Sequence, residues 1–343
     1  MTAYLIRRIL QMTIVVFLST VVIFLILNTV PGGPLDGLRF RGTSSRDQVS
    51  QEDIARLERQ YDLDLPIWQR YTRWLIGYPK VPDHDNTKRG VLRLDFGESW
   101  AISKNTPVLE LIKSRLPNTL LLMLTATILS LVVAIPVGVY SAVRQYSAFD
   151  YAVTSFSFFG QSMPVFWFGL LMVILFAHKF REWGLPYLPT GGLYNERNVT
   201  HTIVERIRYL VMPATVLSLL SMATWSRFTR ASMLEVIRQD YIRTARAKGV
   251  KERVVIIKHA LRNALIPLIT LVVLQLPNIF SGAIITETVF TWPGTGRLYF
   301  DALGRADWPV AMAFLFITAI LYVIATLIRD VAYVIVDPRI RFD

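Results

Sequence analysis

The sequence predicts an all-α integral membrane protein with six transmembrane helices and a partly helical extracytoplasmic segment between the first two. Three observations predict it. Six apolar runs, near Ile9–Leu27, Thr119–Val143, Ala152–Ala177, Tyr209–Trp225, Ala264–Thr286 and Val310–Ile328, contain no Asp, Glu, Lys or Arg. Each is close to the ~20 apolar residues a helix needs to cross a bilayer. The chain is 53% hydrophobic and 18% charged, against about 25% charged in an ordinary soluble domain. The net charge of +12 gathers in short segments beside the runs, as the positive-inside rule describes, which gives no support to a nucleic-acid partner.

The first run, in residues 1–30, follows Arg7 and Arg8. It exceeds the roughly 7–15 residues of a secretory h-region, and Pro31-Gly-Gly-Pro34 offers no Ala-x-Ala cleavage site, so a retained signal-anchor helix is expected.

Residues 31–117 carry 14 basic and 12 acidic side chains that nearly cancel, consistent with an extracytoplasmic segment. Glu52–Gln60 reads as a short amphipathic helix and Pro66–Leu75 as a second, with Ile67, Tyr71 and Trp74 on one face. That face packs on the chain's own membrane domain or in the headgroup layer, or it meets an outside partner. Arg41–Gln51 and Pro79–Gly90 read as loops.

Residues 118–335 hold the other five runs. Prolines 136, 164, 213, 267 and 277 interrupt their hydrogen bonding, and such interruptions can shape a cavity. Gln161, Ser162, Gln275 and Asn278 are polar within or near spans. Each is a candidate pathway residue, with helix–helix hydrogen bonding the more ordinary role. Glu287, at the outer end of the fifth run, is a gate contact or an interfacial carboxylate. No charged residue sits at mid-membrane, where ion-coupled carriers usually need one.

Between the fourth and fifth runs, residues 227–262 hold ten Lys/Arg against three Asp/Glu, a balance of +7. The 287–309 turn has two basic and three acidic residues. This places 227–262 and both termini, including the 336–343 tail, in the cytoplasm. Ala231–Lys248 has no Gly or Pro and sets Leu234, Arg238, Ile242 and Ala245 along one side. Gly249 fits the left-handed position after a helix end, and Lys251–His259 resumes a helix leading into the fifth run. Small residues at Ala245 and Ala247 would admit a partner surface, ringed by Arg243, Arg246, Lys248, Lys251 and Arg253. A basic amphipathic helix resting on anionic lipid fits the same pattern.

Several chemistries find no residues. There is no cysteine, no Gly-x4-Gly-Lys-Ser/Thr loop, and no His-Glu-x-x-His pair among histidines 84, 178, 201 and 259. Asn198-Val-Thr200 fits a glycosylation acceptor by chance frequency.

The stretch Asp240-Tyr-Ile-Arg-Thr-Ala-Arg-Ala-Lys-Gly249, with Lys258-His-Ala-Leu-Arg-Asn-Ala-Leu-Ile-Pro267, resembles the coupling loop of dipeptide/oligopeptide ABC importer permeases. Arg7-Arg-Ile-Leu-Gln11, Tyr61-Asp-Leu-Asp-Leu-Pro-Ile-Trp68, Arg73-Trp-Leu75, Leu94-Asp-Phe-Gly-Glu98, Leu116-Pro-Asn-Thr119, Glu287-Thr-Val-Phe-Thr-Trp-Pro-Gly-Thr-Gly296 and Asp337-Pro-Arg339 resemble the family in the same order. The wider superfamily signature opens with Glu-Ala-Ala; here Arg243, Thr244 and Ala245 stand in its place, and its Leu-Pro pair falls on Leu261-Arg262. The glutamate's contacts therefore do not carry over.

The resemblance implies a type I ABC importer fold in a bacterial or archaeal inner membrane. It implies coupling through Arg243, Thr244, Ala245, Arg246, Ala247, Lys248 and Gly249. It also implies a homologous second permease, two cytoplasmic ABC ATPases that use ATP and Mg, an extracytoplasmic solute-binding protein and surrounding lipid. The chain itself would bind no cofactor and would not be an enzyme. The cargo would be di- or oligopeptide, with nickel complexes or oligosaccharides as alternatives in the same class. An autonomous secondary carrier is the alternative from a different class.

Overall fold

The computed structural model describes residues 2–29, 62–77, 89–195, 202–275, 279 and 282–336. Among these, regular structure is helical, with one isolated β-bridge between Glu98 and Pro107. Glu52–Gln60, Arg41–Gln51, most of Pro79–Gly90, Asn198-Val-Thr200, Asn278 and Asp337-Pro-Arg339 lie outside the described residues.

In chain order the helices are α1 (Thr2–Thr29), α2 (Ile67–Ile76), α3 (Val108–Val143), α4 (Ala148–Ser162), α5 (Val165–Glu182), α6 (Ile203–Ile237) and α7 (Asp240–Ala247). Next, α8 begins at Glu252–Val254, is π-helical over Val255–Leu261, and is α-helical over Arg262–Leu274. Then come α9 (Ile284–Val289), α10 (Thr295–Gly304) and α11 (Trp308–Val336). Among the described residues, five helices (α1, α3, α6, α8 and α11) are each long and apolar enough to cross a membrane, and the α4–α5 pair makes a sixth if counted as one span.

That pair corrects the expected third span. Ala152–Ala177 is not one helix: it bends by 104° between Ser162 and Val165. Pro164 has no N–H and forces Met163 into the extended region (φ −79°, ψ 130°). Pro213 and Pro267, by contrast, sit inside continuous helices. The fourth run, Tyr209–Trp225, lies within a helix of 35 residues. Apolarity marked only its uncharged middle, while the helix continues through charged ends at 205–208 and 227–235.

The described chain forms two compact units. One comprises residues up to Pro117 with Leu298–Ile324. Its core joins Phe24 and Leu27 of α1, Val91, Phe96, Val108 and Ile112, and Leu298 to Phe316 of α10 and α11. The amphipathic face of α2 is accounted for here. Tyr71 and Trp74 pack on Phe24 at 5.4 and 5.5 Å between ring centroids, and Trp74 meets Phe316 edge-on at 6.2 Å. Tyr71 also hydrogen-bonds Thr20 at 2.8 Å, so the face packs on the chain's own helices, with Ile67 and Trp68 left exposed.

The other unit runs from Asn118 to Arg297 and takes in residues from Ala325. Within it α3 packs closely on α6. Small residues recur every fourth position along α3, at Ala126, Ser130, Ala134, Gly138 and Ala142, and all are buried. Such a stripe lets backbones approach closely. The Ser130 hydroxyl donates to the Ser218 carbonyl at 3.0 Å. A Cβ on Gly138 would fall 2.6 Å from both the Ser226 carbonyl oxygen and Thr229 Cβ. No larger residue fits there.

Candidate functional site: a basic coupling helix and two buried carboxylates

The expected continuous helix Ala231–Lys248 is instead two. α6 ends at Ile237, Gln239 is extended (φ −73°, ψ 149°), and α7 starts at Asp240. No Gly or Pro causes this break; burial does. The turn lets Ile242 and Ala245 enter a cluster with Met233, Val255, Ala260, Ala264 and Ala142 of α3, which a straight continuation of α6 would leave in water.

At the far end, Gly249 adopts the expected left-handed conformation (φ +74°). The Val250 amide donates to the Ala245 carbonyl at 3.3 Å and the Gly249 amide to the Arg246 carbonyl at 2.9 Å. This pair of bonds is a Schellman cap, closed by apolar contact of Val250 with the same cluster. Arg246 spans the turn, donating to both oxygens of Glu252 at 2.7 and 3.1 Å. That bond raises the Arg246 pKa further. The Arg243–Asp240 pair, at 3.7 Å between exposed side chains, adds little.

The seven coupling candidates therefore split by face. Arg243, Thr244, Arg246, Ala247, Lys248 and Gly249 are exposed. Ala245 is 8% exposed and turned inward. Of the two small residues expected to admit a partner, Ala247 faces outward, while Ala245 fixes the helix to its own chain. Tyr241 hydrogen-bonds Asn263 of α8 at 3.1 Å.

Next to this helix lies an ion pair that no spacing pattern announced. Asp150, at the start of α4, is buried and accepts a forked pair of bonds from Arg230 of α6 at 2.6 and 2.7 Å. It also accepts from the Ser141 hydroxyl of α3 and from the Tyr146 amide at 3.0 Å. Arg230 counted only as one of ten basic residues, and its partner is 80 positions away. Bidentate pairs with every lone pair satisfied are the strong ones. Removing one member of such a buried pair typically costs about 3–5 kcal/mol.

Glu287, expected as a gate contact or an interfacial carboxylate, is closed off from water. Its side chain is 0% exposed. It accepts from the Thr119 hydroxyl at 3.0 Å and the Arg297 amide at 2.9 Å. Thr119 in turn accepts from the Thr295 amide at 2.7 Å. The Trp292 indole donates to the Asn118 carbonyl at 3.0 Å, and the Asn118 amide to the Pro293 carbonyl at 3.0 Å. Trp292-Pro-Gly-Thr-Gly296 thus wraps the carboxylate and clips it to the start of the α3 span. The glycines have a steric reason, since a Cβ on Gly294 would sit 2.4 Å from the Glu287 carboxyl group and one on Gly282 2.6 Å from it.

Among the pathway candidates, Gln161 is exposed beside the α4–α5 bend and donates to Thr224 of α6 at 2.8 Å, which is the helix–helix role. Ser162 bonds the Phe158 carbonyl at 2.9 Å. Gln275 caps α8 and is exposed.

The long apolar helices, with a capped basic helix set between two of them, define a multi-pass membrane protein. Residues 134–342 match the family model described as binding-protein-dependent transport system inner membrane component, and residues 1–123 match its N-terminal counterpart. The chain is 43% identical to the oligopeptide transport system permease protein AppB of Bacillus subtilis (strain 168), over all of both chains. It is 36% identical to the dipeptide transport system permease protein DppB of Alkalihalophilus pseudofirmus, also over all of both chains. A crystal structure of an amino acid ABC transporter with histidines overlays with a TM-score of 0.41 at 16% identity, covering 68% of this chain and 95% of that one. The chain belongs to the family of binding-protein-dependent transport system inner membrane components, and it is a multi-pass inner membrane protein.

Proposed function

We propose that this chain forms half of the translocation pathway of an ATP-driven peptide importer. A second homologous permease supplies the other half, two cytoplasmic ABC ATPases supply the work, and an extracytoplasmic binding protein delivers the peptide. The ATPases hold the ATP and Mg. The observation that carries this reading is the construction of α7. Its apolar face is sealed into its own chain, its cap is rigid, and its exposed face presents Arg243, Thr244, Ala247 and Lys248. A helix that merely rested on lipid would turn its apolar face outward. The peptide assignment rests on full-length relatives named for oligopeptide and dipeptide transport.

The proposal places both termini and 227–262 in the cytoplasm, with Arg243–Gly249 as the ATPase contact. The first span falls in 1–30, the extracytoplasmic segment in 31–117, the five-helix transport domain in 118–335 and the tail in 336–343. Gln161 and Gln275 remain the exposed polar candidates along the pathway, with Asn278 beyond the described residues.

Gentle extraction and identification of co-purifying chains tests the assembly; a companion permease, two ATPases and a binding protein are expected. In proteoliposomes, casein hydrolysate with the binding protein should stimulate ATP hydrolysis and drive peptide uptake. Uptake by the chain alone, without ATP, would establish an autonomous carrier and overturn the reading.

A further inference from the structure

We infer that the α3 span is a push-rod with a polar clamp at each end, Asp150–Arg230–Ser141 below and Thr119–Glu287 above, which carries movement of the coupling helix to the outer turn. Asp150, Arg230, Ser141, Thr119 and Glu287 are positioning residues. The inference rests on the importer reading above.

Three features of the structure support it. First, the coupling helix is not hinged freely. Ile242 and Ala245 share one cluster with Met233 of α6 and Ala142 of α3, and Met233 lies one turn beyond Arg230, Ala142 next to Ser141. A push on α7 therefore reaches α3 and α6 through packed side chains, which transmit strain because interiors are close-packed.

Second, the lower clamp joins three helices through one carboxylate. Asp150 of α4 takes two bonds from Arg230 of α6, one from Ser141 of α3 and one from the Tyr146 amide between α3 and α4. With Gly138 against Ser226 and Thr229 one turn away, the bases of α3, α4 and α6 cannot slide past one another without breaking the set.

Third, the same helix passes above through the Glu287 clamp at Thr119. Thr119 and Ser141 are 22 positions apart, a rise of about 33 Å at 1.5 Å per residue, enough to cross the bilayer core. At the upper end, Thr119 and Asn118 hold Glu287, Trp292, Pro293 and Thr295. Tilting α3 must carry this turn with it.

The chain has no cysteine, so one introduced at exposed Thr291, with labelling read on this chain's own band, reports on the outer turn. The complete complex, with its co-purifying permease and ATPases, would be placed in nanodiscs. Labelling of Thr291→Cys by a membrane-impermeant maleimide would be timed without nucleotide and after ATP–vanadate trapping. The unmodified background should show a rate change of about tenfold. Asp150→Asn, Ser141→Ala and Thr119→Val should each reduce it to under about twofold. Nucleotide-free labelling and basal ATP hydrolysis per assembled complex should stay within about twofold. A role in stability alone would lower the yield of complex and leave the nucleotide-dependent change intact. That result, in Ser141→Ala if Asp150→Asn does not assemble, overturns the inference. So does an unmodified complex that hydrolyses ATP with no change at position 291. If the reporter responds but casein hydrolysate is not taken up, the peptide reading fails and the push-rod stands.

Discussion

Asp307 accepts the Ser99 hydroxyl at 2.5 Å across 208 positions of sequence, and the backbone amides of Trp100, Ala101 and Ile102 close around the same carboxylate at 2.9–3.1 Å. Asp307 is 0% exposed. It immediately precedes α11 and so fastens the 99–102 loop to that helix. Asp307→Ala would strand three amides and a hydroxyl, each worth about 1–3 kcal/mol when left unpaired in a buried site. The expected result is a thermal midpoint in detergent several degrees below the parent, with Asp307→Asn between the two.

The Glu287 cradle makes an opposite, steric prediction. Gly294→Ala places a methyl group 2.4 Å from the carboxyl group and 2.5 Å from the Thr119 hydroxyl, so the turn must shift. Overpacking of this kind costs about 1–3 kcal/mol. Gly304→Ala, where nothing lies within 4 Å, should be neutral. Paired melting curves of the two variants check it.

Gly249 and Ala245 should fail for different reasons. Around Gly249 there is open space, so only its positive φ resists substitution: Gly249→Asn should be mild and Gly249→Val should cost about 1–2 kcal/mol at the helix end. Ala245→Leu instead overfills the cluster. Hydrogen exchange over residues 240–250 should quicken modestly in Gly249→Val and more in Ala245→Leu. In the complete complex, Gly249→Trp should abolish stimulated ATP hydrolysis while membrane insertion persists.

The short helix α2 offers a separable pair. Tyr71→Phe removes one hydrogen bond to Thr20 and should cost about 1 kcal/mol. Trp74→Ala removes the ring wedged between Phe24 and Phe316, for about 3–5 kcal/mol. Limited proteolysis between α1 and α2 should rise sharply in the second variant and little in the first.

Much of this molecule is legible in its sequence because bilayers impose local rules. Uncharged runs of sufficient length mark spans, clustered Arg and Lys mark a side, and Gly249 after an amphipathic stretch marks a helix end. The order of its motifs marks the family. Those readings need only neighbouring residues and the solvent. They give the family and the segment proposed above as the ATPase contact.

Packing decided the rest. Pro164 breaks its span while Pro213 and Pro267 do not, because proline's lost bond can be absorbed or made a corner depending on the helices around it. The stop at Ile237 arises from the burial available to Ile242 and Ala245. Asp150 with Arg230, Thr119 with Glu287, and Ser99 with Asp307 are 80, 168 and 208 positions apart. A charge reads in sequence as solvated or interfacial. Only the folded chain, by withdrawing water from three carboxylates and supplying donors in its place, turns those charges into fixed joints.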